Sequence, residues 1–408
     1  MATDRMYELA LRFKGTKLWQ MLYDDEVFAV KLSDGEIGYC SVLGMLGDHY
    51  ALTLYVGSEG YQSYRLLLDA DYESLTALSM DLLMISQNCL QCSFENREML
   101  SDEELDEVRQ YAQANGKTVK GRNAYPQFAK YQEGRVPWDI ETAEDEQRIC
   151  DALSAAIALK KILRQYSKED LRLYSLQGDG KKIPMMAYEN NRWIVKYTQL
   201  PEPSKTYPEP LFTNEVLAAR IRRKKKRGIW ECGTIRIPEP VQEEGHEEEA
   251  PYYPLGLVSV EPKTEMVKPP ILANGEDTAK LMNDFAVQLL NTDVPPKTIS
   301  CGDDRCFALL KDFCEKTGIQ IERSDELEAL DEVLQSLLEN MAEDEEDEDS
   351  ADEELNELLE KLAFLSDADL RSAPKDIKEM LYNMAEMGVL PDELSQRIKK
   401  LFHRKSKK

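Results

Sequence analysis

Histidine is scarce: only His49, His246 and His403 occur in 408 residues. Three histidines leave little room for a Ser–His or Cys–His catalytic arrangement. They also cannot complete a zinc centre, which takes four nitrogen or sulfur ligands. Long apolar runs are missing as well, so no helix is expected to span a membrane. The opening residues, MATDRMYELALRFKG, are charged throughout and lack the apolar stretch and cleavage site of a secretory signal, which points to the cytoplasm. The glycine pairs Gly44…Gly47, Gly57…Gly60 and Gly178…Gly180 fit neither a P-loop nor a dinucleotide fingerprint, so they are turns and imply no nucleotide cofactor. Positive charge is in deficit, 51 Lys and Arg against 77 Asp and Glu, a net charge of −26. Such a surface repels polyphosphate, which argues against nucleic acid as a partner.

What is present is the material of an α+β and α/β protein. The segment 1–166 reads as an N-terminal α+β domain. Val27–Leu32, Ile37–Leu43 and Tyr50–Val56 are strand-like, with Ser33-Asp34-Gly35 a tight turn, so an antiparallel meander is predicted. Helical stretches follow near Ser58–Leu68 and Tyr72–Ser86. Ser101 with Glu104 forms a capping box for a helix to about Ala114. Ile149, Leu153, Ile157 and Leu163 give Thr142–Tyr166 an amphipathic helical pattern. Residues 167–227 read as a connector: a hairpin around Glu189–Arg192, a stretch with Pro201, Pro203, Pro208 and Pro210, and a short helix entering the basic run Arg222–Arg227. Segment 228–341 has the order βββαβαβα, a mixed sheet with helices on it, and that order is possible for an RNase H-like fold. Segment 342–354 is an acidic linker, and 355–408 a small helical region with a basic end.

Eight cysteines are spread along the chain. Cys89-Leu90-Gln91-Cys92 has metal-binding spacing, yet no second pair supplies the remaining ligands. A redox CxxC opens a helix after a strand, whereas this one follows a helical stretch and precedes Ser93-Phe94. Buried packing is the expected role, with no metal or cofactor. The basic run Ile221–Arg227 lacks the aromatic interleaving of a nucleic-acid face. Its cations suit a helix C-terminus instead.

Trp19…Tyr23-Asp24-Asp25…Phe28, Tyr39-Cys40…Gly44…Gly47, Leu54-Tyr55-x-Gly57, Gln87…Cys89 and Trp138 together resemble a bacterial domain of unknown function. Tyr253-Pro254-Leu255-Gly256-Leu257-Val258…Pro295-Pro296…Gly318-Ile319…Leu327…Leu330 is similar to a second uncharacterised domain that often follows the first. The resemblance runs from about Arg5 to Leu338. It implies an uncharacterised bacterial protein and no established chemistry.

Chemistry comes nearest at four acids. Asp303 and Asp304 follow the fourth strand of the second domain, where open α/β sheets place ligands. Glu231 falls on its first strand and Glu261 ends its second. In an RNase H-like nuclease, carboxylates on the first strand and after the fourth hold divalent metal, so Glu231, Glu261, Asp303 and Asp304 are the catalytic candidates. Helix capping is the competing role for Asp303 or Asp304. The favoured expectation is a non-catalytic protein-interaction module with a protein partner, and the alternative is a divergent RNase H-like nuclease or nucleic-acid-processing factor. One expectation needs no structure: ten of the twelve residues in Glu343–Glu354 are acidic, and such a run stays solvated. Limited proteolysis should therefore cut early between Met341 and Leu355, and sustained protection there would contradict this.

Overall fold

The computed structural model describes residues 2–47, 49–72, 76–174, 182–202, 207–243, 245–246, 248–275, 277–338, 340–341, 378, 381 and 392–402. The acidic run Glu343–Glu354 lies outside them, and so does the rest of the helical region read over 355–408. The chain divides into two units, Met1–Leu334 and Gln335–Lys408. The second contains a helix at Asp392–Phe402, on which Ile398 is buried.

In the first sheet, alternation decides which side chains enter the core. Strands β1 (Phe28–Lys31), β2 (Ile37–Leu43) and β3 (Tyr50–Val56) form the predicted antiparallel meander. Two further strands extend it, β4 (Cys89–Glu95) and β5 (Tyr125–Tyr131). Sequence reasoning missed both. β4 has no β-branched residue, so propensity is silent there. β5 carries Pro126, which is tolerated because β5 is the edge strand. The hairpin β6 (Lys182–Glu189) and β7 (Arg192–Gln199) turns on Asn190 and Asn191, both at positive φ. Rather than lying apart as a connector, it joins the same sheet: β6 pairs in parallel with β1, Ala29 opposite Met185. The sheet order is β5-β4-β3-β2-β1-β6-β7.

One face of this sheet carries Phe28, Val30, Cys40, Val42, Leu52, Leu54, Leu90, Cys92 and Phe94 into the main core. Helices α1 (Asp4–Thr16) and α5 (Ala143–Ile162) close that core. Ala152, Ala155 and Ala156 are fully buried on α5, and such small side chains let α1 approach closely. The opposite face is aromatic, with Tyr39, Tyr55, Tyr61 and Tyr64 packed together and α2 (Gly57–Leu68) lying on it. Helix α3 (Ala77–Ile85) follows, and α4 (Asp102–Ala114) opens with the predicted Ser101–Glu104 capping box.

A four-residue helix, α6 (Lys168–Leu171), precedes the hairpin. Helix α7 (Glu215–Arg223), capped by Asn214, leads into the second sheet. That sheet comprises β8 (Ile229–Arg236), β9 (Leu255–Glu261), β10 (Met266–Val267), β11 (Ile271–Ala273), β12 (Thr298–Cys301) and β13 (Gln320–Arg323). Its order is β10-β9-β8-β12-β13, with β11 also on β9. β9 is antiparallel to β8, while β12 is parallel to both β8 and β13. β12 lies between β8 and β13, and α9 (Asp304–Thr317) makes the crossover from it to the parallel β13. Trp230, Phe285 and Phe313 fill the core beneath α7, α8 (Thr278–Asn291) and α9. On the other face Leu330 sits over two glycines. A Cβ at Gly233 or Gly302 would stand 3.0 or 2.7 Å from its Cδ2 atom. Leu330→Ala should therefore open a cavity and lower unfolding stability by about 2–5 kcal/mol, measured as a shift in urea midpoint.

Candidate functional site

The four sequence-selected acids do not gather at one point. Asp303 is the N-cap of α9: its Oδ1 accepts from the Cys306 amide at 2.7 Å and the Thr234 hydroxyl at 2.9 Å, and its Oδ2 accepts from the Thr234 amide at 2.7 Å. The carboxylate thus ties α9 to β8. Asp304 projects outward, 71% exposed, and accepts from Arg323 Nε at 3.0 Å. Glu231 accepts from the Leu330 amide at 2.9 Å, near the start of the helix that begins at 328. Because Glu231 opposes Val260 on β9, the next residue, Glu261, leaves the opposite face of the sheet. Glu261 instead accepts from Thr264 Oγ1 at 3.0 Å. Among the described residues no group of three or more His, Cys, Asp or Glu side chains is placed to hold a metal ion.

The space beyond the carboxyl ends of β8 and β12 is small. About 200 Å³ remains, bordered by Asp303, Thr234, Arg236, Arg305, Tyr207 and Glu133. Small-molecule pockets run from about 300 to 1,000 Å³. Arg305 closes this space: it pairs with Glu133, from the loop after β5, and lies 4.9 Å from the centroid of the Tyr207 ring. The same loop docks by backbone bonds, Tyr253 N donating to Gly134 O at 2.8 Å and Val136 N to Pro251 O at 2.9 Å. Gly134 has φ +78°, and a Cβ there would stand 2.5 Å from the Arg236 guanidinium carbon. Only glycine satisfies both constraints without strain.

Two cations of the basic run end helices. Lys224 Nζ donates to Leu290 O and Thr292 O at 2.7 and 2.6 Å, where α8 ends. Lys226 Nζ donates to Ile221 O and Arg222 O at the end of α7. Both satisfy carbonyls that a helix C-terminus leaves unpaired. The CxxC motif lies within β4, and residues three apart on a strand point to opposite faces. Cys92 accordingly joins the main core and Cys89 the aromatic face. Burial pushes both thiols well up, which suppresses the reactive thiolate.

Residues 4–177 match the family described as Domain of unknown function (DUF7309), and residues 217–338 match Domain of unknown function (DUF6930). The chain joins these two domains in tandem. No curated protein matches it. The DUF7309 domain supplies the seven-stranded sheet up to the hairpin, and the DUF6930 domain supplies Glu231, Glu261, Asp303 and Asp304. Among the described residues no helix is long and apolar enough to cross a membrane.

Thr234, Arg305 and Glu133 escaped sequence reasoning, since what marks them is a partner distant in sequence. Asp303→Ala should lower stability by at least about 2 kcal/mol, through the lost cap and an unsatisfied Thr234. Asp304→Ala should stay within about 0.5 kcal/mol, because its ion pair is exposed. Paired denaturant titrations check both, and equal losses would contradict the assignment.

Proposed function

We propose that the protein is a non-catalytic interaction module of the cytoplasm that works through a protein partner. The observation carrying this reading is the outer edge of β7. It is the last strand of its sheet, and among the described residues no strand pairs beyond it. An open edge offers backbone donors and acceptors to an added strand. Tyr197 on this strand is 45% exposed. Further support comes from the second domain, where Asp303 has its oxygens engaged in structural bonds and Arg305 fills the adjoining space.

The strand order of the second domain, with Asp303 just beyond β12, favours a second reading, a divergent RNase H-like nuclease. Against it stands Thr234. This hydroxyl residue, not an acid, faces Asp303 from the first strand, and a two-metal site needs several converging carboxylates.

The two readings separate in one set of assays. Incubation with single- and double-stranded DNA and RNA in Mg²⁺ or Mn²⁺ should leave every substrate intact, and cleavage abolished by Asp303→Asn would establish the nuclease. Partner capture should depend on the β7 edge. Tyr197 opposes Pro184, two pairs along from Met186–Val195 in the hairpin. From the bonded Glu189–Arg192 pair that closes the turn, alternation turns the Tyr197 amide outward. Tyr197→Pro should therefore abolish a reproducible stoichiometric complex while leaving the hairpin paired, and capture unaffected by this change would refute the edge assignment.

A further inference from the structure

The aromatic face of the first sheet borders a cavity of about 840 Å³, within the range of small-molecule sites. Its floor includes one cross-strand row, Ser41 opposite Thr53 and Thr53 opposite Gln91. Ser41 and Thr53 are 3% and 2% exposed, polar residues beside the row of Tyr39 and Tyr55. Above them lie Tyr64 from α2 and Met80 and Met84 from α3.

One feature fixes the cavity wall and a second gives the cavity a chemical preference. Gln87 borders it and is 2% exposed. Its Nε2 donates to Ser63 O at 3.2 Å and Leu83 O at 3.0 Å, which fixes the amide orientation. Its Oε1 has no partner. That oxygen is itself sealed off by its neighbours, so Gln87 shapes the wall rather than contacting a ligand. The second feature is charge. Asp24, Asp25 and Glu26 line one end, and among the described residues no Lys, Arg or His lines the cavity. Lys168 neutralises Glu26 at 2.5 Å. Asp24 is fixed through its backbone, whose carbonyl accepts from Ser41 Oγ at 2.7 Å and Tyr64 OH at 2.9 Å. Its carboxylate has no ion pair or hydrogen bond among the described residues. Burial, and after it the charge of Asp24, hold the Tyr64 and Tyr72 hydroxyls protonated.

We infer that this cavity binds a small organic amine, its ammonium group at Asp24 and its apolar or aromatic body among Tyr55, Tyr64 and Met80. Aromatic faces and a carboxylate favour a cation together, and methionine sulfur packs well against a ring. An anionic ligand would meet Asp24 with no compensating cation on the cavity wall. The inference is independent of the partner reading for β7, which lies at the far end of the sheet from β4.

The full chain should be titrated calorimetrically with tryptamine, and in parallel with tryptophol and indole-3-propionate, which share the ring but are neutral and anionic. Tryptamine should bind, tryptophol about three- to thirty-fold more weakly, and indole-3-propionate not measurably. Asp24→Asn should weaken tryptamine about two- to five-fold and leave tryptophol unchanged, since the exposed carboxylate is partly screened. Leu43→Trp, at the half-buried end of β2, should fill the cavity and abolish binding while circular dichroism and the melting midpoint stay near wild type. Three results would each overturn the inference: no tryptamine binding up to millimolar concentration, equal affinity for all three probes, or full binding by a folded Leu43→Trp variant.

Discussion

One carboxylate organises the end of the second domain where α/β sheets usually do their chemistry. Asp303 accepts from Cys306 N, Thr234 N and Thr234 Oγ1, and so fastens the start of α9 to the strand beside β12. A helix N-terminus leaves its first amides unpaired, and a strand end leaves others; a single anion serves both. The arrangement constrains what lies around it. Gly233 and Gly302 must stay small so that Leu330 can cover the sheet next to this clamp, and Glu231 then receives the Leu330 amide. Carboxylates at the positions expected of a metal site are thereby engaged in holding α9 and the helix from 328.

The contact between the two sheets completes the same theme. Arg305, two residues after Asp303, pairs with Glu133 and faces Tyr207, while the loop at Gly134 bonds to the segment before β9. An ion pair of this kind, with side chains 18% and 27% exposed, is partly desolvated and directional. It gives the loop after β5 a fixed seat rather than a large share of the stability. The loop of the neighbouring domain thus borders the space beyond the ends of β8 and β12.

The first sheet has the opposite character on its two faces. Toward α1 and α5 it is close-packed and apolar, and the small residues of α5 permit that density. Toward α2 it carries tyrosines, a buried polar row and an unpaired glutamine oxygen. Buried polar groups without partners are rare in folded proteins, because each forfeits hydration without recompense. One such oxygen, on Gln87, lies at this face, and with the partnered polar row and the acidic rim it separates that face from ordinary core.

Much of the local structure was written in the chain. The meander β1–β3, the Ser101 capping box, the Asn190–Asn191 turn and the βββαβαβα order all follow from short-range rules: alternation, caps and positive-φ tolerance. The two tandem domains were legible as a resemblance to uncharacterised families, carried by positions such as Trp19, Tyr39 and Tyr253. Strands β4 and β5 were not, because Cys89–Glu95 has no β-branched residue and Tyr125–Tyr131 includes a proline that only an edge can accommodate. Neither was the partnership of the hairpin with β1, since a parallel pair joins segments more than 150 residues apart and leaves no local signature. The role of the acids was decided by tertiary structure alone. Sequence placed Asp303 after a strand and Glu231 on another, but whether such groups converge on a metal or bond to backbone amides depends on which face each strand presents. That is set by the register of β8 against β9 and β12 and by the packing of Leu330, where non-local burial outweighs any preference of the residues themselves.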